Sequence, residues 1–130
     1  MEEKIDVPQS VIEAFHLMWD EFPEPAQLHH KSKMILAVNK ASAALGMQPG
    51  IFCYKLGSPE SHKGCLAGKC LQEGRAQYVC ASMGGREFVG FWQPVAGHPD
   101  LYVHYNVGFT LNYNSTFWVS NAENCISPFC

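Results

Sequence analysis

Strand-forming residues dominate the second half of the chain, where two turn signals divide them into three runs. The first run, residues 77–83, stops at Gly84-Gly85, a dipeptide that permits the positive φ angles of a tight hairpin. Residues 87–95 form the second run, and a longer turn over residues 96–100 leads into the third, residues 101–113. The pattern predicts an antiparallel meander of three strands.

The last of these strands separates its side chains by polarity. Apolar and polar positions alternate along it, as they do in a strand that is buried on one face only. One face carries Val103, Tyr105, Val107, Phe109 and Leu111, and the other carries Tyr102, His104, Asn106, Gly108 and Thr110. A meander cannot bury its apolar face alone, so earlier segments of the chain must cover it.

The N-terminal segment predicts a helix that suits this role. Ser10 and Glu13 have the spacing of a capping box, which begins a helix, and Pro23 and Pro25 end it. Between these signals, apolar residues recur at helical spacing. They are Val11, Ile12, Phe15, Met18, Trp19 and Phe22. So wide an apolar stripe needs a surface on which to dock.

The segment between this helix and the meander predicts two short strands and two more helices. The strands cover residues 26–31 and 34–38. Asn39 suits the N-cap of a short helix over residues 40–45, and a second helix over residues 65–73 ends at Gly74. The predicted order is therefore helix, strand, strand, helix, loop, helix, strand, strand, strand.

Composition limits the class of protein. The chain has 130 residues, 47% of them hydrophobic and 16% charged, which fits one globular domain. A net charge of −3 gives no reason to expect nucleic acid or an anionic membrane as a partner. No apolar run approaches the roughly 18–20 residues that cross a bilayer. The acidic start lacks the pattern of a signal peptide, which predicts a cytoplasmic protein whose six cysteines are thiols or ligands.

The order of elements resembles that of a PAS domain over about residues 10–113. Residues 23–26, the strand over 34–38, Asn39-Lys40-Ala41 and Leu45-Gly46 resemble the family's first hairpin and the helix that follows it. Residues 50–54, Gly64-Cys65 and residues 70–74 resemble a cysteine-bearing subgroup of prokaryotic PAS sensory domains. The family's usual Asp-Ile-Thr-like ending is replaced by residues 110–113.

The resemblance implies an α+β fold, in which a five-stranded antiparallel sheet carries helices on one face and an N-terminal helix caps the domain. It divides the chain into an N-terminal segment over 1–9, the PAS-like domain over 10–113 and a tail over 114–130. The implied function is that of a stand-alone sensory domain, not an enzyme, that binds a small ligand or an unknown cofactor. The domain would transmit its ligand-bound or ligand-free state through a homodimer, formed by the N-terminal helix and the outer sheet face, or to a separate signalling protein.

Aromatic and polar residues on the predicted sheet and helices are candidates to bind that ligand. They are Phe52, Leu71, Tyr78, Phe91, Trp92, His104, Tyr105 and Asn106. Because adjacent residues of a strand point to opposite faces, Phe91 and Trp92 cannot both face one cavity. A small enzyme that uses the cavity is a further alternative, but no nucleophile and base stand out as a pair.

Four cysteines within 28 positions offer a second kind of chemistry: Cys53, Cys65, Cys70 and Cys80. Four thiolates can hold zinc or an iron–sulfur cluster, so these are the candidate metal ligands. A redox-active thiol pair and simple packing are the alternatives. No pair has the two-residue spacing of a metal knuckle, and Cys65 and Cys70 can converge only if the helix begins after Cys65.

Overall fold

The structure, a computed structural model, describes residues 5–56 and 62–111. Its helices and strands follow the predicted order. They are α1 (Gln9–Trp19), β1 (Ala26–His30), β2 (Ile35–Val38), α2 (Lys40–Ala44), a 3-10 helix (Cys53–Lys55), α3 (Ala67–Glu73), β3 (Gln77–Met83), β4 (Arg86–Val95) and β5 (His98–Val107). No helix within these residues is long and apolar enough to cross a membrane.

The five strands form one antiparallel sheet in the order β2-β1-β5-β4-β3. The chain therefore places its last strand in the centre, where β5 pairs with both β1 and β4. This architecture confirms the predicted α+β fold class with a five-stranded antiparallel sheet.

Different helices cover the two faces of the sheet. The outer face carries Leu28 and Val103, on which α1 packs through Phe15. The inner face carries Trp92 and Tyr102, on which α3 packs. α2 lies beside β1 on this inner face, because Ser42 of α2 bonds to Gln27 of β1. The predicted helices on one face are thus α2 and α3, and α1 covers the opposite face.

The alternation predicted for the last strand is confirmed by its register. His104 lies opposite Gln27 of β1 and Trp92 of β4, whereas Tyr105 lies opposite Ala26 and Phe91. The first set faces inward and the second faces outward. It is therefore the polar side of β5 that faces α2 and α3.

Helix α1 differs from its predicted form at its start and along its exposed side. It begins at Gln9 with Pro8 as N-cap, because the Pro8 carbonyl accepts the first helical hydrogen bond from Val11. Ser10 therefore lies inside the first turn and caps nothing, so the predicted capping box was wrong. Met18 is 74% exposed and does not belong to the buried stripe, which lies toward Ile12, Phe15 and Trp19.

The third strand of the meander is shifted toward the N-terminus relative to its prediction. Gly97 has a φ of +79°, so a two-residue turn suffices and β5 begins at His98. Gly108 has a φ of +92° and ends the strand after Val107. Phe109 and Leu111 therefore lie beyond β5. The predicted tail, with Cys125 and Cys130, falls outside the described residues, so the division into 1–9, 10–113 and 114–130 stays a prediction.

Several local predictions are confirmed by backbone geometry. The Asn39 side chain caps α2 by accepting from the backbone of Ser42. Gly74 ends α3 in the left-handed conformation. Gly84 and Gly85 both have positive φ angles and join β3 to β4 in a two-residue hairpin, in which Met83 pairs with Arg86.

Asn39 is a fully buried junction of four segments of the chain. Its Oδ1 atom accepts hydrogen bonds from the backbone N–H of Ala26, at 3.0 Å, and of Ser42, at 2.9 Å. Its Nδ2 atom donates to three backbone carbonyls between 2.9 and 3.3 Å away. These belong to Trp19, Phe22 and Glu24. One amide thus joins the end of α1, the linker after it, the start of β1 and the start of α2.

A second buried group fixes the end of β5. The Glu24 carboxylate, which is fully buried, accepts hydrogen bonds from the backbone N–H groups of Gly108, at 2.6 Å, and Thr110, at 2.9 Å. Glu24 belongs to the linker that Asn39 holds, since its backbone carbonyl accepts from the Asn39 amide. The two ends of the domain therefore meet at one place, beside the C-terminal end of the central strand.

We predict that Asn39→Asp lowers the free energy of unfolding by about 3–5 kcal/mol. The substitution keeps the acceptor but removes the donor, and it places a carboxylate oxygen against three carbonyl oxygens. Urea unfolding followed by fluorescence measures the loss. Gln48→Glu makes the same exchange at an exposed loop position and should stay within about 0.5 kcal/mol of the wild type. Equal losses in the two variants would contradict the role assigned to Asn39.

Candidate functional site

Polar and aromatic side chains cluster on the inner face, across the three adjacent strands β1, β5 and β4. Gln27 and His29 come from β1, Tyr102 and His104 from β5, and Trp92 from β4. Gln27 and His29 are 3% and 1% exposed, respectively. Polar groups are seldom placed so deep without a partner, because an unpaired buried group costs free energy. The hydrogen bonds of this cluster therefore define what it can bind.

A chain of hydrogen bonds fixes the protonation of His29. The Ser42 hydroxyl donates to the carbonyl of Ala26, at 3.1 Å, so its oxygen accepts from Nε2 of Gln27, at 2.7 Å. Oε1 of Gln27 is then the acceptor for Nε2 of His29, at 3.3 Å. His29 must carry its proton on Nε2, which leaves a lone pair on Nδ1. Among the described residues this buried Nδ1 has no hydrogen-bond partner.

His104 has the opposite tautomer for a similar reason. Its Nδ1 lies 2.8 Å from the carbonyl oxygen of Phe91, and a carbonyl can only accept, so Nδ1 carries the proton. Nε2 of His104 is left with a lone pair, and no residue within 5–56 or 62–111 donates to it. The inner face thus presents two imidazole nitrogens that can accept a hydrogen bond or coordinate a metal.

Flat rings hold both imidazoles in place. His29 stacks on Tyr102 with centroids 5.0 Å apart, and His104 stacks on Trp92 at 4.8 Å. The two imidazoles meet edge to face at 6.0 Å. Gly90 faces the same cluster, because a Cβ atom there would lie 3.3 Å from Oδ1 of Asn106. The result is an ordered group of rings with two free acceptor nitrogens.

Burial keeps both histidines neutral. Burial, with the nearby charges of His104 and Lys33 acting in the same direction, lowers the pKa of His29 to about 3. Burial also lowers the pKa of His104, although its bond to the Phe91 carbonyl acts in the opposite direction. Neutral imidazoles keep the lone pairs that the hydrogen bonds leave free.

Comparison with known proteins identifies the fold. No protein-family model and no curated protein matches the chain. Solved structures do: the PAS domain of Bordetella pertussis BvgS has a TM-score of 0.61 at 16% identity, over 88% of this chain and 98% of that one. A domain of an HTR-like protein from Haloarcula marismortui has a TM-score of 0.57 at 23% identity, over 68% of this chain and 99% of that one.

A third similar structure is the photoactive yellow protein domain from the sensor histidine kinase Ppr of Rhodospirillum centenum. Its TM-score is 0.54 at 19% identity, over 75% of this chain and 96% of that one. The chain has the PAS fold. The predicted resemblance to PAS domains is confirmed at this level, and the inner face described above is the face that α2 and α3 of this PAS fold cover.

The PAS fold separates the eight predicted ligand residues into different places. Trp92, His104 and Asn106 lie on the inner face, and Leu71 packs against the cluster there. Phe52 stacks on Tyr54 just before the 3-10 helix. The other three are on the outer face. They are Tyr78, Phe91 and Tyr105.

Four residues of the inner cluster were not among the eight predicted ligand residues: Gln27, His29, Ser42 and Tyr102. Two of them carried a signal in the sequence. His29 lies on the opposite side of its strand from His30, and Tyr102 shares the polar side of β5 with His104. Only the pairing of β1 with β5 brings these two signals together, because His29 lies opposite Tyr102.

The three outer residues form one aromatic group, which contacts α1 through Tyr105. Phe91 stacks on Tyr105 with centroids 4.9 Å apart, and Tyr78 lies beside Phe91 at the exposed side of the sheet. Tyr105 also contacts Trp19 and Phe22 at 4.8 and 6.0 Å. Tyr105 thus joins α1 to the sheet through Trp19, and the three outer rings do not face the two bare nitrogens.

The four predicted metal ligands do not come together. Cys80 is exposed and shares the outer face with Tyr78, two positions before it in β3. The pKa of Tyr102 is raised first by burial and then by the charges of Cys53, Cys65 and Cys70. Within the described residues, no three Cys, His, Asp or Glu side chains are arranged to hold a metal ion.

A wide, open depression lies elsewhere, at the β3–β4 hairpin, and has a volume of about 1060 Å³. Its walls include Ser82, Arg86, Phe88 and Leu111. None of the eight predicted ligand residues lines it, although Cys80 does. Glycines and exposed strand ends form much of its wall, so it offers less specific chemistry than the inner face of the PAS fold.

We predict that the stability of the protein depends on pH through His29. Its pKa is lower in the folded than in the unfolded chain, so below about pH 6.5 the unfolded chain binds a proton that the folded chain does not. The contribution of His29 to the free energy of unfolding is therefore complete above about pH 6.5 and is lost as the pH falls toward 3. His29→Gln should therefore reduce the slope of unfolding free energy against pH by about 1.4 kcal/mol per unit between pH 6 and 4.

Urea unfolding at several pH values measures that slope. His30→Gln removes a histidine from the other side of the same strand and serves as the matched control, with an unchanged slope expected. If His29→Gln and the wild type lose stability in parallel below pH 6, the buried neutral state of His29 is refuted.

Proposed function

We propose that this chain is a sensory PAS domain whose inner face binds a small molecule that donates hydrogen bonds. The observation that carries the proposal is the pair of bare imidazole nitrogens, Nδ1 of His29 and Nε2 of His104. Support for a sensory role comes from the similar domain of the sensor histidine kinase Ppr.

The chemistry of the pair selects the ligand class. A buried acceptor without a donor costs about 1–3 kcal/mol, and a ligand N–H or O–H removes that cost. Neutral imidazoles attract donors and do not repel them, since burial lowers the pKa of both rings. Trp92 and Tyr102 present ring faces beside the two histidines, which favours a flat ligand that stacks as well as donates.

We expect phenol to bind roughly tenfold more tightly than anisole, which has the same ring but no hydroxyl proton. The measurement is a nuclear magnetic resonance titration of protein with ¹⁵N-labelled histidine. Phenol should shift Nδ1 of His29 or Nε2 of His104, the nitrogens without a proton. His104→Phe keeps a ring at that position but removes its acceptor, and His30→Gln is the control that should bind as the wild type does.

Two results would count against this ligand class. One is equal affinity for phenol and anisole. The other is a set of shifts confined to His30, His62 or His98, because none of these belongs to the inner cluster. A preference for phenol that disappears in His104→Phe supports the proposal.

The surface that passes on the signal is proposed to be α1 and the adjacent outer face, joined to a second copy of the chain. Ala14, Leu17 and Met18 share one side of α1, and Leu17 and Met18 are 87% and 74% exposed. Tyr78 adds an exposed ring on the outer face. Burial of such side chains stabilises a dimer by about 25 cal/mol for each Å² of apolar surface removed from water.

We expect the wild type to dimerise reversibly with concentration, and the double variant Leu17→Glu, Met18→Glu to shift the equilibrium toward monomer by at least about tenfold. Sedimentation equilibrium measures both. The matched control is Ala43→Glu, Ala44→Glu, which adds the same charges to exposed positions of α2. A wild type that stays monomeric throughout, or a control that dissociates equally, argues against this interface.

A further inference from the structure

The turn between β1 and β2 brings a lysine next to the 3-10 helix that contains Cys53. The backbone N–H of Cys53 donates to the carbonyl of Lys33, at 2.9 Å, and Met34 pairs with Phe52 across the same contact. Lys33 has a φ of +76°, which is unusual for a residue other than glycine. The contact with Cys53 is one of the interactions that hold this conformation.

The side chain of Lys33 reaches a second cysteine. Its Nζ atom lies 3.8 Å from Sγ of Cys65 and 5.8 Å from the centroid of the Tyr102 ring. Cys65 comes before α3 begins, which is the condition under which it can lie on the same side as Cys70. One lysine thus contacts Cys53 through its backbone and Cys65 through its ammonium group.

The two cysteines differ in accessibility. Cys65 is exposed, so an oxidant in solution can reach its sulfur, and the ammonium beside it stabilises the negative charge of a thiolate. Cys53 is partly buried, and burial raises the pKa of its thiol, as does the charge of Cys65, while Lys33 acts in the opposite direction. This asymmetry separates an attacking thiol from a protected one.

We propose that Cys65 reacts with hydrogen peroxide and that Cys53 then forms a disulfide with it, with Lys33 as the positioning residue. The proposal does not depend on a ligand at the inner face. It concerns three residues that the β1–β2 turn, the 3-10 helix and the segment before α3 bring together through the two contacts of Lys33.

The reaction consumes one peroxide for two thiols. The Cys65 thiolate attacks one peroxide oxygen and breaks the O–O bond, and the departing hydroxide takes up a proton to give water. Cys65 is then a sulfenic acid. The sulfur of Cys53, after losing its proton, attacks the Cys65 sulfur and breaks its S–O bond, which releases a second hydroxide that becomes water. Each sulfur loses one electron, and the peroxide gains two.

The test is peroxide treatment of the full chain, followed by digestion without reductant and mass spectrometry. We expect a peptide pair linked through Cys53 and Cys65, which a thiol reductant separates. Cys65→Ser should abolish the link, and Cys53→Ser should leave a sulfenic acid on Cys65 that dimedone traps. Cys80→Ser removes another exposed thiol and is the matched control, in which the link should form at the wild-type rate.

Lys33 is tested separately from the cysteines. Lys33→Met removes the ammonium and should slow oxidation of Cys65 by roughly tenfold, whereas Lys33→Arg keeps a positive charge and should retain most of the rate. Circular dichroism of each variant checks that the fold is intact.

A wild-type protein in which Cys53 and Cys65 stay reduced while another cysteine oxidises overturns the proposal. So does a Cys53→Ser protein that gives no dimedone adduct on Cys65. Oxidation that proceeds at the same rate in Lys33→Met and the wild type overturns the role of Lys33 alone.

Discussion

The hydrogen bonds of the buried Asn39 amide hold α1, the linker, β1 and α2 in one arrangement, and the candidate site depends on that arrangement. Asn39 accepts from the backbone of Ser42, and the Ser42 hydroxyl accepts from Gln27, whose own oxygen accepts from His29. The same amide donates to the carbonyl of Trp19 at the end of α1. A continuous set of hydrogen bonds therefore runs from α1 on the outer face to the imidazole on the inner face. A change at His29 has a physical route to the helix proposed as the dimer surface.

The polarity of the two faces explains why the site lies where it does. The apolar side of β5 is covered by α1, whose Phe15 packs with Leu28 and Val103. The polar side is left for α2 and α3, which contribute small side chains such as Ser42 and Ala67. A purely apolar inner face would pack more simply, but it would present no free acceptor. The buried Nδ1 of His29, which lacks a donor, is thus a cost that the surrounding hydrogen bonds and stacked rings must offset.

Local patterns in the sequence predicted the strands better than they predicted the site. Alternation and the Gly84-Gly85 turn located the meander, because both act within a few residues. The start of α1 was misplaced because Pro8 supplies the first acceptor through its backbone, which no side-chain signal reveals. Gln27 and His29 were missed because their role arises only when β1 pairs with β5. Tyr105 and Phe91 were grouped with the inner residues although alternation along their strands already separates them from His104 and Trp92. Only the pairing of β3 with β4 assigns Tyr78 to the outer face.

Tyr102 connects the two kinds of chemistry in this domain. Its ring stacks on His29, the Lys33 ammonium lies 5.8 Å from its centroid, and Cys53, Cys65 and Cys70 raise its pKa. A Cys53–Cys65 disulfide would remove two of the three thiols that now influence the pKa of Tyr102, and it would fix the segment before α3 to the 3-10 helix. Because α3 packs on Tyr102 and Trp92, such a constraint acts on the rings that hold both histidines. Oxidation of the thiols and occupation of the inner face are therefore expected to influence one another through a shared side chain, in either direction, as linked equilibria require.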